Sequence, residues 1–312
     1  MVRTGTFAAL RNALSVIASN FGTVLVLCVV GGVVGSLCSG TVADLAVDVV
    51  LRRDFATYLV TKGGMSADVA AQVAAERAKA FHADPAAFQA AYPQMFALSK
   101  SMTLMFTSSL ATALADAVWM GLYGAVAASA TIYLWVQRER QRSASLYDAV
   151  NYALSRWKRV VGPHFRSVLM VMIGSQVLVP GVLFGMQRAF VDAIATIDDR
   201  ETDPAARSKR LTASRRGLVL QTFAVSALWW VPYAFVGTFL LMDPVASLTP
   251  YVGAVNATTL APFVAPLTYV VTFFVLAVMD LCMVQYYLDM FRKTAPPVPG
   301  PVDLTKPAVP AS

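Results

Sequence analysis

Asp280 lies inside the apolar run VVTFFVLAVMDLCMVQYY, twelve residues before Arg292. That spacing is about 18 Å along a helix, so an Asp280 on a membrane helix is well within the hydrocarbon. An ionisable group there is costly unless paired, and such groups mark proton, ion or solute sites by default. A plainer role is as structural partner to an arginine or a tyrosine hydroxyl. Arg188 and Asp192 stand four residues apart, close enough on one helical face to pair, and Arg188 could instead snorkel toward water. Gln176 lies near Pro180-Gly181 in another apolar stretch and needs a buried hydrogen-bond partner or a polar cavity. Asp280, Arg188, Asp192 and Gln176 therefore form the candidate intramembrane polar site.

Signals for catalysis are weak. His82 and His164 have no cysteine or carboxylate at ligand spacing, so no metal site is expected. Cys28, Cys38 and Cys282 all fall in apolar stretches and read as small buried residues. Asp116 and Asp280 lie on different spans, as the two aspartates of an intramembrane aspartyl protease do. Their contexts, ALADAV and AVMDLC, lack that family's motifs. There is no Gly-x-Ser-x-Gly and no phosphate loop. The expectation is a protein that is not an enzyme and uses no cofactor.

The elements that carry these residues follow from composition. The chain has 312 residues, 57% hydrophobic and only 14% charged, against roughly a quarter charged in soluble domains. It is an integral membrane protein by this measure. The net charge of +7 is not a nucleic-acid signal, because its placement relative to the spans decides its meaning. The first apolar run follows Arg3 and Arg11 but has no small-residue cleavage pattern, so it reads as an uncleaved span.

About 20 apolar helical residues cross a bilayer core of about 30 Å. Segments 16–38, 114–136, 217–241 and 264–288 qualify, and 165–197 carries the Pro-Gly pair. If 165–197 were one span, the basic loop 188–216 would be exported, against the positive-inside rule. If Pro180-Gly181 turns a hairpin, the N-terminus, 137–166, 188–216 and the C-terminus are all cytoplasmic. They then hold 2, 7, 7 and 3 basic residues, 19 of the 25. The hairpin is preferred, and each leg is short enough to be re-entrant. The fold class expected is an all-α polytopic transmembrane bundle of about six membrane helices. They form three helical pairs, the middle one a Pro-Gly hairpin, with N- and C-termini in the cytoplasm of a bacterium and the bundle in its inner membrane.

Within the membrane domain, 1–293, residues 52–102 read as a helical extracytoplasmic insert. There Ser66 and Asp84-Pro85 look like helix starts. Residues 294–312 form a proline-rich tail, expected to be disordered. FAALRNALS at 7–15 repeats as YDAVNYALS at 147–155. Both put apolar residues on one helical face ahead of a span, as helices lying in the membrane surface do. Residues 205–217, AARSKRLTASRRG, are a weaker third copy. Arg156, Trp157, Lys158 and Arg159 follow the second copy and suit anionic lipid headgroups. Gly31, Gly32 and Gly35 give the first span a small-residue face for close helix packing, expected within the chain.

Pro180-Gly181, Arg188, and Ser208 with Leu211, Thr212 and Arg216 resemble the recurring PG, arginine and S-x-x-L-T-x-x-x-R features of a family of bacterial membrane proteins. That family is a largely uncharacterised six-helix group, related to the membrane domain of some glycerophosphodiester phosphodiesterases. YYLDMFRK at 286–293 is similar to its closing stretch. The resemblance covers about 145–293 and, through the repeat, 5–38; the insert departs from it. It implies a six-helix fold and no reaction. Two functions stay open. One is a non-enzymatic protein packing with lipid, a membrane-protein partner or copies of itself. The other is a small-solute or proton-coupled transporter using Asp280, Arg188 and Gln176.

Overall fold

The computed structural model describes residues 5–93, 98–175, 178–242 and 244–294, and its secondary structure there is helical. The proline-rich tail beyond 294 and Gln176 lie outside the described residues. The helices are α1 (Thr6–Ser19), α2 (Phe21–Gly63), α3 (Ala67–Ala83), α4 (Pro85–Ala91), α5 (Leu98–Glu139) and α6 (Leu146–Ser155). They continue with α7 (Trp157–Ser175), α8 (Leu178–Arg188), α9 (Val191–Ile197), α10 (Pro204–Met242), α11 (Pro244–Val252) and α12 (Ala254–Thr294). Among the described residues, three helices are long and apolar enough to cross a membrane: those within 21–63, 102–139 and 254–290. These carry the sequence's first, second and last spans.

The chain forms two compact units, residues 37–116 and the remainder. In the smaller unit Phe55, Ala74 and Phe88 make a core, packed by Tyr58, Phe81 and Tyr92. The Asp84 carboxylate accepts the Ala87 N–H at 2.9 Å, with Pro85 at the first helical position of α4, as the sequence suggested. Ser66 precedes α3 without a side-chain cap bond. The insert has no helical boundaries at 52 and 102, however. α2 and α5 run unbroken to Gly63 and from Leu98, at about 65 Å each by their length. No proline interrupts either helix, so the hydrogen-bond ladder continues.

In the larger unit, small residues let helices approach. A Cβ on Gly32 would lie 2.6 Å from the Val270 backbone nitrogen, and one on Gly35 would lie 2.7 Å from the Trp119 ring. The Trp119 indole N–H donates to the Gly31 carbonyl at 2.8 Å and the Tyr123 hydroxyl to that of Leu27 at 2.6 Å. The Gly31–Gly35 face is thus filled from within the chain.

The repeat is visible in burial. Ala9 and Ala13 of α1 and Ala149 and Ala153 of α6 are buried. At matched positions, Phe7 and Tyr147 are 79% and 75% exposed, and Leu14 and Leu154 are 46% and 54% exposed. Each helix turns its alanine stripe to the protein and one aromatic residue and one leucine outward, while Leu10, Val16, Ile17 and Val150 pack on the core. The third copy behaves differently: it is the opening of the continuous helix α10, not a separate surface helix.

The Pro-Gly reading needs a correction. α7 and α8 do pack against each other as a hairpin, but Pro180 and Gly181 lie inside α8, not between helices. The physical reason is that α8 begins at Leu178, and the first turn of a helix leaves its N–H groups unbonded, so proline is tolerated there. The register confirms the reversal: a Cβ on Gly185 would touch Val171 at 4.0 Å, and the two positions are equidistant from 178. α8 has 11 residues, about 16 Å, well short of the bilayer core.

Candidate functional site

The hairpin and two neighbours build one polar centre. His164 on α7 and Asp192 on α9 are also equidistant from position 178, and the His164 Nδ1 lies 2.8 Å from the Asp192 Oδ1. Their side chains are 12% and 21% exposed. The other ring nitrogen, Nε2, lies 3.1 Å from the Met120 carbonyl of α5. A carbonyl only accepts, so Nε2 carries a hydrogen. Nδ1 and Asp192 therefore share a second proton, as imidazolium with carboxylate or as imidazole with carboxylic acid. Asp280 on α12 lies within electrostatic reach of both partners.

Local sequence explains how the ring gets there. Gly121 and Gly124 stand on one face of α5. A Cβ on Gly121 would collide with the Phe165 ring, and one on Gly124 would be 2.8 Å from His164 Nε2. Two glycines therefore open the slot that Phe165 and His164 fill. Pro163, directly before the histidine, sits inside α7 and removes one rung of its hydrogen-bond ladder.

Of the residues singled out from sequence, Asp192 pairs with His164 here and Asp280 is an electrostatic neighbour of that pair. Arg188 does not pair with Asp192. The four-residue spacing predicted a pair on one continuous helix, but α8 ends at Arg188 and α9 starts at Val191, which removes the shared face. Arg188 Nη1 is buried with no hydrogen-bond partner among the described residues. His164 carries no metal-ligand spacing, so its place in this centre has no signal in its own neighbourhood of the sequence. The small-residue pair Gly121 and Gly124 was the available signal for a close-packed side chain opposite.

The break between α8 and α9 is held by α10. Ser208 Oγ donates to the Gln187 carbonyl at 2.8 Å and accepts the Phe190 N–H at 3.1 Å. Thr212, one turn on, donates to the Met186 carbonyl at 2.8 Å. Two hydroxyls thus satisfy backbone groups that the end of α8 leaves open. Replacing the buried Thr212 with valine removes the shorter of two hydrogen bonds on the Met186 carbonyl, which keeps that from the Ala189 N–H at 3.3 Å. The expected loss is about 0.5–1.5 kcal/mol, read as a lowered thermal midpoint in detergent. Ser214→Ala, at an exposed hydroxyl on the same helix, serves as the near-neutral control.

A second polar cluster lies where α6 meets α7. Arg156 pairs with Asp199, and Arg159 with Asp199 at 3.0 Å. Arg207 reaches Asp198 at 2.9 Å and Glu201 at 3.1 Å, and the Tyr287 hydroxyl donates to Asp198 at 3.2 Å. The hydrogen bond from Arg156 holds the Asp199 carboxyl below the usual carboxylate range. Of the four residues assigned to headgroups, Arg156 and Arg159 are engaged in this network. Trp157 packs beside Val160 and Ala195, and Lys158 is exposed. Elsewhere, Asp116 accepts a hydrogen bond from Ser39. Among the described residues, no three His, Cys, Asp or Glu side chains are grouped to hold a metal ion.

No protein-family model matches the chain, and no curated protein or solved structure is found to be similar to it.

Proposed function

We propose that this helical chain is a non-enzymatic integral protein of the bacterial inner membrane, working through contact with lipid or a membrane-protein partner. The observation behind this reading is the matched exposure of α1 and α6, which each present an aromatic residue and a leucine away from the protein. Such faces gain by sinking into the headgroup–acyl boundary. The exposed Lys158 and Arg11 suit anionic headgroups beside them. The reading includes six membrane segments in three pairs, with α7 and α8 a re-entrant middle pair and both termini cytoplasmic. It places the chain in the six-helix group that its motifs resemble, and the unit around α3 and α4 outside the cell.

Ser208 is fully buried, so topology is better probed at the exposed Thr202. In a cysteine-free background, Thr202→Cys should resist a membrane-impermeant thiol reagent in intact cells and react once they are opened. Tyr147→Cys should react with a lipid-soluble maleimide and resist the impermeant one even in opened cells. Labelling of Thr202→Cys from outside would overturn the orientation. Ready aqueous labelling of Tyr147→Cys would overturn the lipid contact.

A second reading, a small-solute or proton-coupled transporter, is favoured by the convergence of His164, Asp192 and Asp280. In this version Asp192 and His164 take the place that Arg188 and Gln176 held in the sequence-based set.

A further inference from the structure

We infer that His164, Asp192 and Asp280 form a binding site for an exchangeable proton, joining the α7–α9 hairpin to α12 and to the Met120 carbonyl of α5. The inference deepens the second reading above by naming the ligand, and it rests on the geometry of the His164–Asp192 pair and the Met120 carbonyl, with Asp280 an electrostatic neighbour of the pair. Met120 pins one ring hydrogen at Nε2, so the ring can change its protonation only at Nδ1, which faces Asp192 at 2.8 Å. One proton in that bond leaves the His164–Asp192 pair neutral overall in either arrangement. Asp280 then sets the charge of the centre, minus one when ionised and zero when protonated. An uncompensated charge in this setting is costly, so uptake of one further proton by the carboxylates neutralises the site. No bond other than that to the proton forms or breaks.

The surrounding charges support this accounting. α7 adds Arg166, which is exposed, and α8 adds Arg188, which forms no ion pair with Asp192. Cys282 on α12 lies within electrostatic range of Asp280, and α5 contributes the Met120 carbonyl. Because the three side chains come from three different helices, a change in their shared charge acts on how the hairpin sits against α12.

The chain's two histidines make the test direct. His82→Gln leaves His164 as the sole imidazole, and selective nitrogen-15 histidine labelling of the full chain in phosphatidylglycerol–phosphatidylethanolamine nanodiscs then reports on that ring alone. The Nδ1 and Nε2 resonances should shift with a single midpoint between about pH 5 and 9. Asp280→Asn should abolish that step or move it by about one unit or more. Gly124→Ala, whose Cβ collides with Nε2, should alter the Nε2 resonance and the midpoint together. Resonances constant across the range would overturn the site, as would a midpoint unchanged by both substitutions. Proton exchange at the site without solute uptake in reconstituted vesicles would leave the site standing and remove the transporter reading.

Discussion

Replacing Gly32 with valine should abolish recovery of folded protein, while alanine at Gly22 should be tolerated. A Cβ on Gly32 would meet the backbone nitrogen of Val270 at 2.6 Å and its Cα at 2.8 Å. Those are backbone atoms of α12, a helix that cannot yield locally without moving its own ladder. Overpacking a well-fitted core costs about 1–3 kcal/mol and sometimes more. Here valine adds two further methyl groups against the same wall. Gly22 has nothing within 4 Å of its Cβ position. Gly31 is an intermediate case, since its Cβ would meet the rings of Tyr123 and Phe273, which are side chains and can turn. The measurement is the yield of monodisperse protein in mild detergent and its thermal midpoint. Full recovery of Gly32→Val would mean that α2 and α12 do not pack at this register.

Truncating either partner of the His164–Asp192 pair should be the second most damaging change. Asp192→Ala strands the ring nitrogen, and His164→Ala strands the carboxylate. Removing one member of a buried pair costs about 3–5 kcal/mol, whereas replacing both with apolar residues of similar volume is often close to neutral. The double variant His164→Leu with Asp192→Leu should therefore unfold at a higher temperature than either alanine variant. Equal loss in the double and single variants would show that shape at the α5–α7 contact matters more than the ion pair. The glycines at 121 and 124 make that outcome a real competitor, because they fit the existing ring closely.

Composition and periodicity determined which stretches form helices long and apolar enough to cross a membrane. An apolar run can satisfy its backbone in lipid only as a helix, and the spans at 114–136 and 264–288 fall inside long helices, whereas 16–38 crosses the break between α1 and α2 at Asn20 and joins its long helix from Phe21. The repeat between 7–15 and 147–155 was equally legible, since matched residues face matched environments. So was the cap at Asp84, because capping depends on a residue and its neighbours three positions on. The inward and outward faces of α1 and α6 were only half legible. Apolar periodicity marked Phe7, Leu10 and Leu14 as one face, but whether protein or lipid covers that face depends on what lies opposite. Alanine stripes took the protein side.

Tertiary structure alone decided the rest. The Pro-Gly pair advertised a break, yet the position of a helix start is set by where the chain can reverse, and proline fits the first turn that follows. Arg188 and Asp192 are neighbours on an ideal helix, but the hydroxyls of Ser208 and Thr212, from a different helix, stabilise the break between them. His164 meets Asp192 because a hairpin brings residues 28 apart in sequence into register. Asp280 joins them from a helix that is a further 88 residues away, read from its position in the sequence. Pairing across such separations leaves no local trace, since each partner alone looks like an isolated polar residue in an apolar run. Spacing along the chain reports only on groups that share one element, whereas this centre draws its side chains from three.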